Sequence, residues 1–166
     1  ARVQLGFSRI ATVLGEPLSL TATLDAAAQA AAEALGGDFS AVMMPRRGGE
    51  LELAGSYELP AVLENDLSNG LPASARVLSL CANERRVIAA PSVAEDSRFG
   101  EEWKELARAA SSEALLAVPL ETTRGDESGV VLVFFGHERR FTDDDLELAR
   151  QLAHAARGAL ERSDVY

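Results

Sequence analysis

The chain has 166 residues, 47% hydrophobic and 25% charged, the composition of one soluble globular domain long enough to bury its own core. A formal net charge of −10 disfavours a nucleic-acid surface, because phosphate binding needs a basic patch. One cysteine, Cys81, excludes an intrachain disulfide, and no stretch reads as a membrane span or signal peptide, so a cytoplasmic location is expected.

Arg2 to Leu14 reads as a helix. Val3, Phe7, Ile10 and Leu14 recur on one stripe, the narrow seam of a coiled coil or bundle, and Gly15-Glu16-Pro17 ends it. A second helix is expected from about Leu20 to Leu35, with Leu24, Ala28, Ala31 and Leu35 on one face and Gly36-Gly37 at its end. Phe39 to Met44 is the first strand, apolar on both faces. Arg46 to Gly49 is a hairpin loop, and Leu51 to Tyr57 is the partner strand. In it Glu52 and Ser56 alternate with Leu51, Leu53 and Tyr57, as on an edge strand with one exposed side.

From Glu58 to Ser112 the pattern loosens. A short helix near Ala61 to Asp66, a loop at Ser68 to Pro72 and a helix from about Ser74 to Asn83 come first. A short strand near Arg86 to Ala89 and a helix from about Ser97 to Ala110, capped by Asp96 or Ser97, follow. A crossover this long between paired strands is unusual without a function. Leu115 to Leu120 and Gly129 to Phe135 then form a hairpin, with a bulge or unpaired amide expected at Pro119. The second of these strands fills both faces: Val131, Val133 and Phe135 on one, Val130, Leu132 and Phe134 on the other. Such a strand belongs at the centre of a covered sheet.

Thr142 offers an N-cap hydroxyl to the last helix, and Asp145 stands at the capping-box position. Asp143, Asp144 and Asp145 complement the helix dipole. The apolar arc of this helix has two seams, one of Leu146, Ala149, Ala153, Ala156 and Leu160, the other of Leu148, Leu152, Ala155 and Ala159. One suits the sheet. The other suits a helix, either of the same chain or of a second subunit.

The strand pair Leu115–Leu120 and Gly129–Val133, followed by Arg140-Phe141-Thr142-Asp143-Asp144-Asp145 and the Ala/Leu-rich helix, resembles a GAF domain. Thr23 to Met43 is similar to that family's opening helix and first strand, and Asp96-Ser97-Arg98-Phe99 to its loop before a central helix. The resemblance covers nearly the whole chain. It implies an α/β (α+β type) three-layer fold: an antiparallel sheet of five or six strands in the order 2-1-5-4-3, terminal helices on one face and lid helices on the other. The domain divides as an N-terminal helix (1–17), a sensor core (18–141) and a C-terminal output helix (142–166), and it reads as a piece of a longer signalling protein.

By the family's layout, a ligand pocket would be bounded by Tyr57, Val77, Cys81, Phe99, Trp103, Leu116 and Val118. Its chemistry suits a small apolar or aromatic molecule fixed by a few polar groups. Val3, Phe7, Ile10, Leu14 and Leu160 would form a helix or dimer interface. Known cofactors of the family are disfavoured. Neither His137 nor His154 suits a haem or a metal site. Cys81 lacks the adjacent histidine of bilin-binding relatives. Asn83 is followed by Glu84 and Phe99 by Trp103-Lys104, so the cyclic-nucleotide pattern fails. The family also contains a reductase for free methionine sulfoxide that works through several cysteines. One cysteine leaves no resolving partner, so no enzyme is expected, and Cys81 reads as a small buried hydrophobe with a redox thiol as the alternative. Two functions stay open: a ligand-sensing module that signals to an output domain such as a kinase, phosphatase or transcription regulator, or a ligand-free dimerisation module.

Overall fold

The computed structural model describes residues 19–46, 48–122 and 127–164. The expected seam of Val3, Phe7, Ile10 and Leu14 lies outside these residues.

Helix α1, Leu20–Leu35, begins where the Ser19 hydroxyl accepts the Ala22 amide and ends where Gly36 turns left-handed (φ 75°) and donates to the Ala32 carbonyl. Strands β1 (Phe39–Pro45) and β2 (Leu51–Tyr57) form the first hairpin. Helix α2 (Ala61–Leu67), a 3₁₀ turn (Ala73–Ala75), helix α3 (Val77–Glu84), strand β3 (Ile88–Ala90) and helix α4 (Glu101–Ala109) make up the crossover. Strands β4 (Ala114–Glu121) and β5 (Ser128–Phe135) and the long helix α5 (Asp143–Asp164) complete the fold.

The five strands are ordered β2-β1-β5-β4-β3 and every pair is antiparallel. All eight residues of β5 are buried, as a central strand with covered faces requires. On one face, α1 and α5 pack over Val42, Leu116, Val118, Val131, Val133 and Phe135. On the other, the crossover packs over Ala41, Met43, Leu115, Ala117, Leu132 and Phe134.

Two local expectations are corrected and a third is resolved. The helix expected from Ser74 to Asn83 is a 3₁₀ turn followed by α3, because the Ser74 carbonyl accepts the Gly100 amide at 2.8 Å rather than a helical amide four residues on. Helix α4 starts at Glu101 with Gly100 as its N-cap, not Asp96 or Ser97. The Asp96 carboxylate instead accepts the Arg98 amide and guanidinium. Of the two outcomes expected at Pro119, a bulge or an unpaired position, the second is found: the β4–β5 register runs unbroken through it, and β3 pairs no further along β4 than Ala117. The bulge lies in the first hairpin, where Val42 pairs Gly55 but Met43 pairs Leu53, leaving Ala54 as the extra residue.

Helix α5 starts with a reciprocal cap. Thr142 Oγ1 accepts the Asp145 amide, and Asp145 Oδ2 accepts the Thr142 amide at 2.8 Å. The carboxylate also pairs with Arg139, N to O 2.7 Å, and its side chain is 1% exposed. The apolar seams of α5 are largely taken by its own chain: Leu148, Ala149, Leu152, Ala156, Ala159 and Leu160 are all in the core with α1 and the sheet. Leu160, at 4% exposure, packs in this core with α1 and the sheet.

Helix α1 lies directly on β2. A Cβ built at Gly55 would stand 2.7 Å from the Leu24 carbonyl carbon and 2.8 Å from its oxygen, both backbone atoms that cannot swing aside. Gly55→Ala should destabilise the domain by about 1–3 kcal/mol, the usual range for overpacking, and lower its melting temperature. An unchanged melt would show that α1 does not pack this closely.

Candidate functional site

The resemblance places the expected pocket on the face of the sheet that carries the crossover. Short helices and loops cover it, and its core is aromatic. Phe39 stacks on Phe134 with centroids 5.2 Å apart, Trp103 tilts over Phe134 at 6.5 Å, and Phe99 stacks on Trp103 at 6.3 Å. This row runs from β1 across β5 into the lid. Trp103 is 1% exposed.

Four of the expected pocket residues meet here: Val77, Cys81, Phe99 and Trp103. Three do not. Leu116 and Val118 face the terminal helices, while Leu115 and Ala117 face the lid. Side chains alternate along a strand, and β4 is apolar on both faces, so the pattern could not say which set faced which layer. Tyr57 also packs against the terminal-helix core. It pairs with Ser40, whose hydroxyl donates to the Ala28 carbonyl of α1. The bulge at Ala54 reverses the alternation of β2, so Leu51 and Leu53 reach the lid core while Tyr57 points the other way.

The lid holds polar atoms that the sequence reading missed. Trp103 Nε1, Asp66 Oδ2 and Ser74 Oγ are each buried without a hydrogen-bond partner in the protein. They belong to α4, α2 and the 3₁₀ turn, and α4 packs against both of the others. A buried polar group left unpaired costs about 1–3 kcal/mol, so three in one layer are unusual. Asp66 could have been suspected from spacing, because it follows the buried Leu63 by three residues and directly precedes the buried Leu67.

Beside this layer, a polar cleft of about 340 Å³ opens between the first hairpin, the loop after α2 and the outer side of α3. Asn69, Ser79, Asn83 and Ser128 line it together with Leu51 and Leu71, which also pack against the lid core.

Cys81 is fully buried, and burial pushes its thiol up to about 12. Arg86 pulls in the opposite direction, but the desolvation is larger. The thiol is therefore protonated at neutral pH, and the electropositive, accessible setting of a reactive cysteine is missing. Leu80, next to it in α3, is exposed. His137 and His154 are both exposed, and among the described residues no group of three or more His, Cys, Asp or Glu could hold a metal ion.

The loop from β3 to α4 is fastened by Arg98. Its guanidinium donates to the Ala89 carbonyl at 2.7 Å and to the Asp96 carboxylate at 2.6 Å. The hydrogen bond from Arg98 is the main reason the Asp96 carboxyl is held below its ordinary value of 3.8. A carboxyl depressed in the folded state stabilises the fold above its unfolded value and ceases to do so as pH falls through the folded value. Asp96→Asn should therefore lower the melting temperature at neutral pH, with the difference from the parent closing as the pH is taken down through that range. A difference that persists in acid would place its cause in packing rather than charge. For Cys81, iodoacetamide at pH 8 should leave the native protein unmodified and label it once in denaturant. Rapid native labelling would overturn the buried, protonated assignment.

Solved structures share this architecture at low identity. The GAF domain of an Acinetobacter phosphoenolpyruvate-protein phosphotransferase has a TM-score of 0.75 at 17% identity, covering 99% of this chain and 96% of that one. A free methionine-R-sulfoxide reductase from Neisseria meningitidis, in complex with its substrate, has 0.76 at 20%, covering 98% and 90%. A phycoerythrobilin-bound GAF domain from a cyanobacterial phytochrome has 0.67 at 16%, covering 98% and 96%. The chain has no significant match among curated proteins. Among the described residues, no helix is long and apolar enough to cross a membrane. The GAF domain family model matches residues 19–160, from the cap of α1 through the sheet and lid to Leu160 in α5, and the chain belongs to the GAF domain family.

Proposed function

We propose that this GAF domain is a non-catalytic sensory module that takes up a small molecule between sheet and lid and passes its state to an output domain of the same polypeptide. GAF domains are commonly sensory or regulatory modules of signalling proteins, and the phosphotransferase and phytochrome neighbours fit that role. The observation that carries the reading is the trio of buried, unpartnered polar atoms in the lid: an indole donor at Trp103, a carboxylate acceptor at Asp66 and the Ser74 hydroxyl, which can be either. A small aromatic or apolar molecule bearing one acceptor and one donor would satisfy them while its body joins the row of Phe99, Trp103 and Phe134.

The output helix of this reading is α5, with residues 1–17 as the second terminal helix. A kinase, phosphatase or transcription regulator in the cytoplasm is the class of output domain proposed, assembled as a homodimer through Val3, Phe7, Ile10 and Leu14. Haem and bilin stay outside the proposal because the histidines are exposed and Cys81 has none beside it. Cyclic nucleotides stay outside it because the family's pattern for them is broken at Glu84 and Trp103. Catalysis stays outside it because the one thiol is buried and protonated.

The ligand-free assembly module is the second reading. It draws on the dense packing of Trp103, whose ring contacts Phe99 and Phe134 and is nearly inaccessible.

Native mass spectrometry separates the two. The sensory reading expects a mass above that of the chain, lost on denaturation, and a quenched or shifted Trp103 emission on binding. Trp103→Phe removes the N–H donor with modest loss of ring area and should weaken that ligand about fivefold to tenfold. If the chain flies bare, and no compound that raises the melting temperature changes Trp103 fluorescence, the assembly reading replaces it.

A further inference from the structure

The turn 136–141 between β5 and α5 is held by both layers that cover the sheet. On the lid side, the Arg139 amide donates to the Pro91 carbonyl at 3.1 Å, and the Ser92 hydroxyl donates to Glu138 Oε1 at 3.1 Å. Pro91 and Ser92 open the loop that continues through the Arg98 fastening into Phe99 and Trp103. On the helix side, the Arg139 guanidinium donates to the carbonyl of Leu35, the last residue of α1, and to Asp145 Oδ1, in the first turn of α5, at 2.7 Å. Its flat face lies over Phe135, 4.6 Å from Cζ to the ring centroid, with Phe141 at 5.5 Å.

We propose that Arg139 is the coupling residue between the lid and the two terminal helices. Its main chain moves with the lid loop, because that is where its amide is bonded. Its side chain fixes the end of α1 relative to the start of α5. A displacement of the loop therefore pulls the guanidinium along the Asp145 carboxylate. That carboxylate is nearly inaccessible, so its hydrogen bonds to Arg139 and Thr142 have no ready exchange with water. Buried, directional pairs of this kind switch between discrete arrangements rather than stretching continuously. The planar fork matters too: it reaches two acceptors on different helices while stacking on an aromatic ring, which a lysine ammonium cannot do. The biological use of this coupling rests on the sensory reading. Its test needs no ligand, so failure here and failure of ligand binding are separate results.

The test is amide hydrogen exchange in the whole chain, comparing the parent, Arg98→Ala, Arg139→Met and the double variant. Arg98→Ala unfastens the lid loop from Ala89. The methionine keeps the main-chain bond to Pro91 but cuts the side-chain contacts with both helices. The probes are the amides of 145–149 at the start of α5. The amides of 130–134 in β5 serve as the reference for global opening. With Arg139 present, Arg98→Ala should speed exchange at 145–149 roughly fivefold beyond any change in β5, a size typical of residues in one network. With methionine at 139, those amides should already exchange fast, and Arg98→Ala should add nothing. The proposal is overturned if Arg98→Ala acts equally in both backgrounds, or if it leaves 145–149 unchanged in the parent. Should Arg139→Met fail to fold, Arg139→Lys takes its place. It keeps the charge but cannot span Leu35 and Asp145 together, and the same outcomes decide.

Discussion

The constraint on which this fold depends is that its central strand is apolar on both faces. With all eight residues of β5 buried, neither side of the sheet can be left to water. Two covering layers must be supplied by one short chain, and they are supplied in different ways. The α1–α5 layer is made of long helices with small side chains. Nine residues of α1 are buried and six of them are alanine, which lets the helix lie against the backbone of β2 at Gly55. The lid is made of helices of seven to nine residues, separated by loops, with large aromatic side chains as the filling.

Much of this was legible in the sequence because the hydrophobic period and the punctuation agreed. Helix α1 ends at a glycine that adopts the left-handed conformation, and β2 occupies the edge that its alternation implied. Thr142 and Asp145 form the reciprocal cap that their spacing suggested. The family resemblance supplied the strand order, which local pattern could not. The candidate site was less legible, for two physical reasons. Where a strand is apolar on both faces, alternation says that two sets of side chains exist but not which layer each one meets. The family's layout put Leu116 and Val118 with Phe99, and the strand's own pattern held nothing to correct it. Where a strand carries a bulge, alternation itself changes sign, and Ala54 put Tyr57 on the face opposite Leu53.

The polar features were the least legible because each depends on contacts distant in sequence. Asp145 read as a helix cap and is one, but its second partner is Arg139, which also reaches the end of α1 more than a hundred residues earlier. Removing one member of such a buried pair costs about 3–5 kcal/mol, because it strands the other charge. Asp96 read as a cap and is not one, because the Arg98 guanidinium claims it. Ser74 looked like part of a helix, yet its carbonyl caps a different one.

These two kinds of layer also divide the labour that a regulatory domain needs. Local opening is cheapest where helices are short and their contacts few, and the lid is built that way. The terminal-helix layer is long, closely packed and continuous, which suits it to carry a displacement over distance but not to generate one. A sheet sandwiched between them is a poor conductor, because its central strands are locked by hydrogen bonds on both edges. The coupling proposed for Arg139 runs around the end of the sheet, through connections bonded to both layers. The turn after β5 is such a connection, bonded to Pro91 and Ser92 on one side and to Leu35 and Asp145 on the other. On the sensory reading proposed above, what happens under the lid acts by changing where that turn sits.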